Sequence, residues 1–231
     1  MPGKGNDIVF LSKPDTVKQV LRSDVKYPVN IAVDSVGHLR RTDLKHRYPS
    51  GPGLLGQGQE WWEFRSAVQK DMLRPSSALH YITGVNNVTE KLIGRIDKEI
   101  SVDRSQNKVR KIEGLTKEYA MEAICMSFLN NGLGILDGKP LGRRLLAANN
   151  NFFHGVLAGW FLPPKHAKWN PKYRSMLEAA NTIIDITDGC IADFIENLKQ
   201  DPGLQRTVLG KMISRSGIQE GEVCNIHTGY L

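Results

Sequence analysis

The strongest constraint on the fold is a run of apolar residues near the C-terminal end that alternates steps of four and three. Tyr173, Leu177, Ala180, Ile184, Thr187, Ile191, Phe194 and Leu198 keep this rhythm without a break. Only an α-helix places such positions on one stripe. Asp201-Pro202-Gly203 offers a stop signal. The predicted helix, Pro171 to Gln200, would be about 45 Å long at 1.5 Å per residue. A stripe of that length needs other helices to bury it, so the chain reads as mainly α.

The remaining helices follow from the same signals. Gln59 to Met72 reads as one helix, Ser76 to Ile100 as a second, and a third falls within Leu115 to Leu129, stopped by Asn130, Asn131 and Gly132. Leu141 to Phe161 is a fourth, ended by Pro163 and Pro164, and Leu204 to Ser214 closes the series. Ahead of them, Ile8 to Leu11 reads as a short strand, and Asp15 as the cap of a helix reaching Ser23. Asp24 to Gly58, rich in proline and glycine, is predicted to be a long loop with one short helix inside it. The tail from Gly217 to Leu231 carries weak signals, and no internal repeat points to a solenoid.

Charge and cysteine content narrow the function classes. An excess of 31 Lys and Arg over 24 Asp and Glu gives +7, which suits nucleic acid, an anionic membrane surface or an acidic protein. A nucleic-acid binder needs a helix lined with Arg, Lys, Asn or Gln. The longest helix carries Glu178, Asp185, Asp188, Asp193 and Glu196 instead, so no nucleic-acid partner is expected. Cys125, Cys190 and Cys224 are odd in number and widely spaced, which fits neither a disulfide framework nor a metal knuckle. No apolar run reaches the roughly 18 residues that span a bilayer. Met1 to Asp7 shows no targeting pattern.

The stretch that carries chemistry is GLLGQGQEWWEFRSAVQKDMLRP, Gly53 to Pro75. Its glycine-rich approach leads into a helix that sets Trp61 and Arg65 four residues apart, one turn from each other on one face. Arg offers a permanently charged planar fork for a carboxylate, and the indole N–H of Trp donates only. One anion could meet both side chains, and the propionates on the edge of a haem are anions of this kind. An aromatic anchor beside a snorkelling Arg would give the same spacing.

Order and spacing across the chain resemble a known family. SKPDTVKQVLRSDVKYPVN, a loop, and then the Gly53 to Pro75 stretch are similar to the B helix, B to C loop and C helix of the mitochondrial clan of animal cytochromes P-450. EGLTKEYAMEAICMSFLNNGLGILDG resembles that clan's E helix and the turn after it. Gly155 to Trp169 resembles its F helix end and F to G loop, and Asn170 to Gln200 its long G helix. The likeness runs from Ile8 to about Ile226.

The resemblance implies a cytochrome P-450 fold: the B to H helix portion with a small β element, as one partial domain over residues 1–231. It implies a haem monooxygenase acting on an apolar small-molecule substrate such as a steroid or lipid, with Trp61 and Arg65 on a haem propionate. Under it, the loop from Val29 to Leu55 and the helix around Phe152, Phe153 and Val156 would roof the substrate pocket. Trp160, with Phe161, would flank the access channel and touch a membrane surface. Lys70 and Arg74 would lie on the face that docks a ferredoxin-type electron donor. The implied location is the matrix side of the mitochondrial inner membrane.

The family's axial cysteine, in a loop of pattern F-x-x-G-x-x-x-C, has no counterpart among Cys125, Cys190 and Cys224, so no metal ligand and no catalytic residue is assigned. The oxygen-activating helix and the E-x-x-R helix are missing as well, and the chain is read as a fragment, inactive by itself. The apolar stripes of Ser76 to Ile100 and Leu115 to Leu129 would then lack their partners, which predicts a weakly stable chain. The alternative function is a non-catalytic basic helical protein that binds partners or membrane surfaces.

Overall fold

The computed structural model describes residues 9–23, 25–29, 34–47, 53, 56–72, 75–102, 112–159 and 169–216. The described elements are helical. They are α1 (Pro14–Arg22), α2 (Asp34–Arg41), α3 (Gly58–Met72), α4 (Ile82–Val102), α5 (Ile112–Leu129), α6 (Pro140–Gly159), α7 (Pro171–Gln200) and α8 (Val208–Ser216). Short 3-10 turns at Pro75–His80 and Pro202–Arg206 precede α4 and α8.

The long helix forms with the expected bounds because both ends are written into the sequence. The Asn170 side chain accepts the Lys172 backbone N–H at 2.9 Å, and Pro171 fits the first turn, where its missing N–H costs nothing. At the other end Pro202 cannot continue the helix, and Asp201 Oδ1 accepts the Gly203 N–H at 2.8 Å. The stripe is buried as expected: Ile191 is 1% exposed, while Tyr173, Ala180, Ile184, Thr187 and Phe194 are likewise buried.

α7 buries its length against two clusters. Toward its C-terminal half, Ile186, Cys190, Ile191 and Phe194 pack with Cys125 and Leu129 of α5, Leu145 of α6, and Leu209 and Ile213 of α8. Toward its N-terminal half, Tyr173, Met176, Ala180 and Ile184 meet Val156 of α6 together with Val36 and Leu39 of α2 and Leu44 just after it. Burying each of these large side chains contributes roughly 1.5–3 kcal/mol, so α2 is held on the α6–α7 pair by apolar contact first. α6 and α7 cross closely at Gly155, where a Cβ would come within 2.4 Å of the Met176 Cβ. A third cluster, Val208 and Met212 of α8 with Phe64, Tyr81 and Phe128, seats α3 on α8 and α5.

Several expectations change at their edges, with α5 reaching back to Ile112 from the expected Leu115. Val9 to Leu11 forms no strand, and no strand occurs among the described residues; a lone extended segment has no ladder partner, and Phe10 is exposed. α1 begins at Pro14, with Asp15 inside the first turn rather than capping it. Pro14 is preorganised for the first helical position, which moves the start upstream. α4 begins at Ile82 and not at Ser76, because the segment after Pro75 winds as a 3-10 turn. α8 begins at Val208 and not at Leu204: the Thr207 hydroxyl accepts the Gly210 N–H at 3.1 Å and fixes the start there. The tail from Gly217 lies outside the described residues.

Large apolar side chains stay exposed on α4 and α5, among them Ile82, Ile93, Ile112 and Ile124. α1 buries no residue at all. No described helix is long and apolar enough to cross a membrane.

Candidate functional site

The approach to α3 depends on glycine. Gly53 and Gly58 have φ of 62° and 59°, the left-handed region that other residues enter only at a cost. The Gly56 N–H donates to Gly53 O at 2.9 Å, and the Gly58 N–H to Pro28 O at 3.0 Å, tying the start of α3 back to the loop before α2. Glu60 in the first turn pairs with Arg41 at 2.7 Å. Both partners are about two-fifths exposed, so this pair adds little stability, but it fixes α3 against the end of α2.

From this start the two adjacent indoles lie 6.4 Å apart, tilted 49° to each other, and take different further neighbours. Trp62 meets Tyr27 edge to face at 6.4 Å, and Lys26 Nζ lies 5.5 Å from the Trp62 ring. Trp61 takes Arg65, whose guanidinium carbon sits 5.0 Å from the Trp61 ring centroid. The i,i+4 spacing therefore produces a stacked pair, with both side chains half-buried. No carboxylate pairs with Arg65 among the described residues. Stacking on a ring restrains the guanidinium plane, and its N–H edges remain available to an anion. Chemically the face offers a fixed cation beside an indole donor.

The other expected site residues fall in different places. Lys70 belongs to α3, but its side chain lies outside the described residues, as do Arg74 and Trp160 entirely. Phe152 is half-buried against the α2–α6–α7 cluster and meets Phe153 edge to face at 5.9 Å. Phe153 is exposed, whereas Val156 is buried among Val36, Leu39 and Met176.

The cysteines behave as core residues. Cys125 and Cys190 are buried free thiols. Burial first, then the neighbouring Glu122, pushes the Cys125 thiol up to about 12, and burial with Asp193 raises Cys190. Both stay protonated at neutral pH, a poor state for a thiolate ligand. Cys224 lies outside the described residues.

A second group was not legible beforehand. The Tyr173 hydroxyl donates to Asp43 Oδ2 at 2.6 Å, and the phenol is held well above its usual range by burial and by that carboxylate. Arg47 bridges Asp185 and Asp188, each at 2.9 Å. Burial opposes the Arg47 charge, but bonds to the two carboxylates outweigh it, and its pKa is raised. These ties clasp the turn after α2 onto α7. The only sequence hint was two carboxylates three residues apart beside a buried stripe, which equally describes a solvated face.

Compared with known proteins, the sequence matches the cytochrome P450 family over residues 3–223. The chain belongs to the cytochrome P450 family. It is 23% identical over 225 residues to a probable mitochondrial cytochrome P450 12e1 of Drosophila melanogaster, covering 90% of this chain and 42% of the fly protein. It is 25% identical over 198 residues to the mitochondrial sterol 26-hydroxylase of Homo sapiens, covering 83% of this chain and 36% of that enzyme. A cytochrome P450 27C1 of Aquarana catesbeiana is 30% identical over 133 residues, 57% of this chain and 24% of the frog protein. This P450 chain thus spans well under half the length of these relatives.

The family's cofactor is haem, and one observation here fits it. The pair it would need for a propionate, a donor and a fixed cation one helical turn apart, is assembled on α3 as Trp61 and Arg65. Among the described residues no cluster of His, Cys, Asp or Glu is placed to hold a metal ion.

Proposed function

We propose that this chain forms the propionate-binding and substrate-roofing part of a haem monooxygenase that hydroxylates an apolar substrate such as a sterol or another lipid. The observation that carries the reading is the Arg65 guanidinium stacked on Trp61 behind the Gly53–Gly58 approach. The relatives named as sterol 26-hydroxylases support the substrate class. Those named as mitochondrial support the mitochondrion as the place of action, and the matrix side of its inner membrane is part of the same proposal.

Haem, when bound, supplies the dioxygen chemistry, and its iron ligand comes from outside the residues described. This chain's own residues bind and orient. Arg65 would neutralise and hydrogen-bond a haem propionate, and the Trp61 indole N–H would donate to it, so that the two would hold the group. The loop from Val29 to Leu55, clasped to α7 through Asp43 and Arg47, and the α6 face with Phe152, Phe153 and Val156 close the substrate side and exclude water. Trp160 flanks the entrance at a membrane surface, and Lys70 and Arg74 attract an acidic ferredoxin-type donor, an attraction that weakens with salt.

The discriminating experiment is a carbon monoxide difference spectrum of the reduced protein, taken on this chain and on any continuation of its reading frame. A red-shifted thiolate band from the continued protein, lost on changing Trp61 and Arg65 together, is the expected result. A second reading, a non-catalytic basic helical protein, draws on α1, which buries nothing and exposes Val17, Val20 and Leu21 beside Lys18 and Arg22. Absence of the band from every form, with haem present, would favour it.

A further inference from the structure

Between the last turns of α7, the end of α5 and the turn at Pro202–Arg206 lies a cavity of about 580 Å³, a size that suits a small organic molecule. Leu129, Phe194 and Leu204 supply its apolar floor, and all three belong to or pack against the core shared by α5, α7 and α8. Asp193, Glu196 and Asp201 bring three carboxylates to the wall, and Asn131 and Asn197 add carboxamides. No Lys, Arg or His lines it among the described residues. In a chain of net charge +7 this is a local reversal of sign.

Two of the carboxylates are engaged. Asp201 Oδ1 accepts the Gly203 N–H at 2.8 Å, and Glu196 Oε1 takes Lys199 Nζ at 3.2 Å. Asp193 has no ion-pair partner among the described residues. One helical turn before it stands Cys190, and there the Asp193 charge is felt: burial first, then that carboxylate, raises the thiol. Cys190 is an independent sign of a ligand. Its side chain is 5% exposed, lines the cavity and makes no hydrogen bond among the described residues. A free thiol behaves as a small apolar group with a weak donor, so its sulfur suits the body of a ligand better than its charge. An unpaired carboxylate beside an apolar floor with a buried sulfur fits a molecule with a positive head and an apolar body. A metal ion would leave that floor unused, and no group of three His, Cys, Asp or Glu is placed to hold one among the described residues.

We propose that this cavity binds a small organic ammonium ion. The ammonium pairs with the Asp193 carboxylate and donates to the carboxamide oxygens of Asn131 and Asn197, while its alkyl or aryl body lies on Leu129, Cys190, Phe194 and Leu204. None of these residues belongs to α3 or α6, so the site is independent of the haem contact and of the substrate roof proposed above.

Isothermal titration of the 231-residue chain with benzylammonium, benzyl alcohol and tetramethylammonium separates the charge from the body. Benzylammonium should bind about fivefold more tightly than either of the others. Asp193→Asn should weaken benzylammonium about fivefold and leave benzyl alcohol unchanged, and Asp193→Glu should keep most of the affinity. Glu178→Gln, at an exposed acid toward the other end of α7, should change it less than about twofold. Labelling with N-ethylmaleimide, read by peptide mass spectrometry, locates the ligand. Benzylammonium should slow the reaction of Cys190 but not that of Cys125, which shares the core without lining the cavity. Asp193 is exposed, far-UV circular dichroism checks that its variants keep their helicity, and labelling of the parent chain reports the site even where a variant loses structure. No binding of benzylammonium at tens of millimolar, or equal binding of benzyl alcohol or tetramethylammonium, would overturn the proposal. Equal losses from Asp193→Asn and Glu178→Gln would overturn it in favour of diffuse charge, and equal slowing of both cysteines would place the ligand elsewhere.

Discussion

Replacing Glu122 by alanine should cost more than any surface change in this chain. Glu122 is 2% exposed on α5, and its two oxygens accept the backbone N–H groups of Gly134 at 2.9 Å and Ile135 at 2.7 Å. The turn it holds is itself special: Gly134 has φ of 68°, and Ile135 is 1% exposed, so water cannot stand in for the carboxylate. Alanine leaves two buried donors without a partner, at about 1–3 kcal/mol each, or about 2–6 kcal/mol together. Glutamine keeps one acceptor but turns an amide donor toward the other N–H, and should lose about 1–3 kcal/mol. Against a total stability of about 5–15 kcal/mol for a domain, the alanine change is close to decisive. The neighbouring ties, Lys91 to Asp137 at 2.8 Å and Arg95 to Leu136 O at 2.9 Å, anchor the same turn from α4, so the damage begins where α5 hands over to α6. Urea unfolding followed by circular dichroism measures the loss. A Glu122→Ala variant within about 0.5 kcal/mol of the parent would refute the claim that this carboxylate satisfies the turn.

Two further outcomes follow from the clasp and the core. Arg47→Met keeps the apolar stem and removes the bonds to Asp185 and Asp188; because these groups are partly exposed, it should cost only about 1 kcal/mol in low salt and less in high salt. Urea midpoints at two ionic strengths check this, and a loss insensitive to salt would contradict the ionic reading. In a Cys224→Ser variant, the Cys125 thiol, with its pKa pushed up to about 12 by burial, should react with a disulfide reagent at pH 8 roughly a thousandfold slower than free cysteine, and guanidinium should abolish the difference. Fast reaction of Cys125 in the folded chain would show that it is not in the core.

Legibility followed how local each determinant is. α7 could be read to the residue because Asn170-Pro171 and Asp201-Pro202 cap it from within its own sequence. Trp61 and Arg65 could be paired because four residues of helix are enough to bring them together. α4 and α8 start later than periodicity indicates, since Pro75-Ser76 and Pro202-Gly203 open a 3-10 turn as readily as an α-helix. The strand expected at Ile8 to Leu11 depends on a partner that local propensity cannot supply. Asp43 meets Tyr173 across 130 residues, and Arg47 meets Asp185 across 138. Nothing in either segment marks such distant partners, and Lys45 to Arg47 looked like any solvated basic run. Family resemblance reached further than periodicity here, since it assigned to one family what spacing alone left as a series of helices.

In the proposed function, α3 grips a haem carboxylate through Trp61 and Arg65. Equilibrium titration with haem and with its dimethyl ester, each against the parent chain and an Arg65→Met variant, isolates that contact. A charge-assisted hydrogen bond at a half-exposed site predicts that the variant binds haem about tenfold more weakly, while both proteins bind the ester alike. Equal affinity of parent and variant for haem, or an equal loss with the ester, would contradict it.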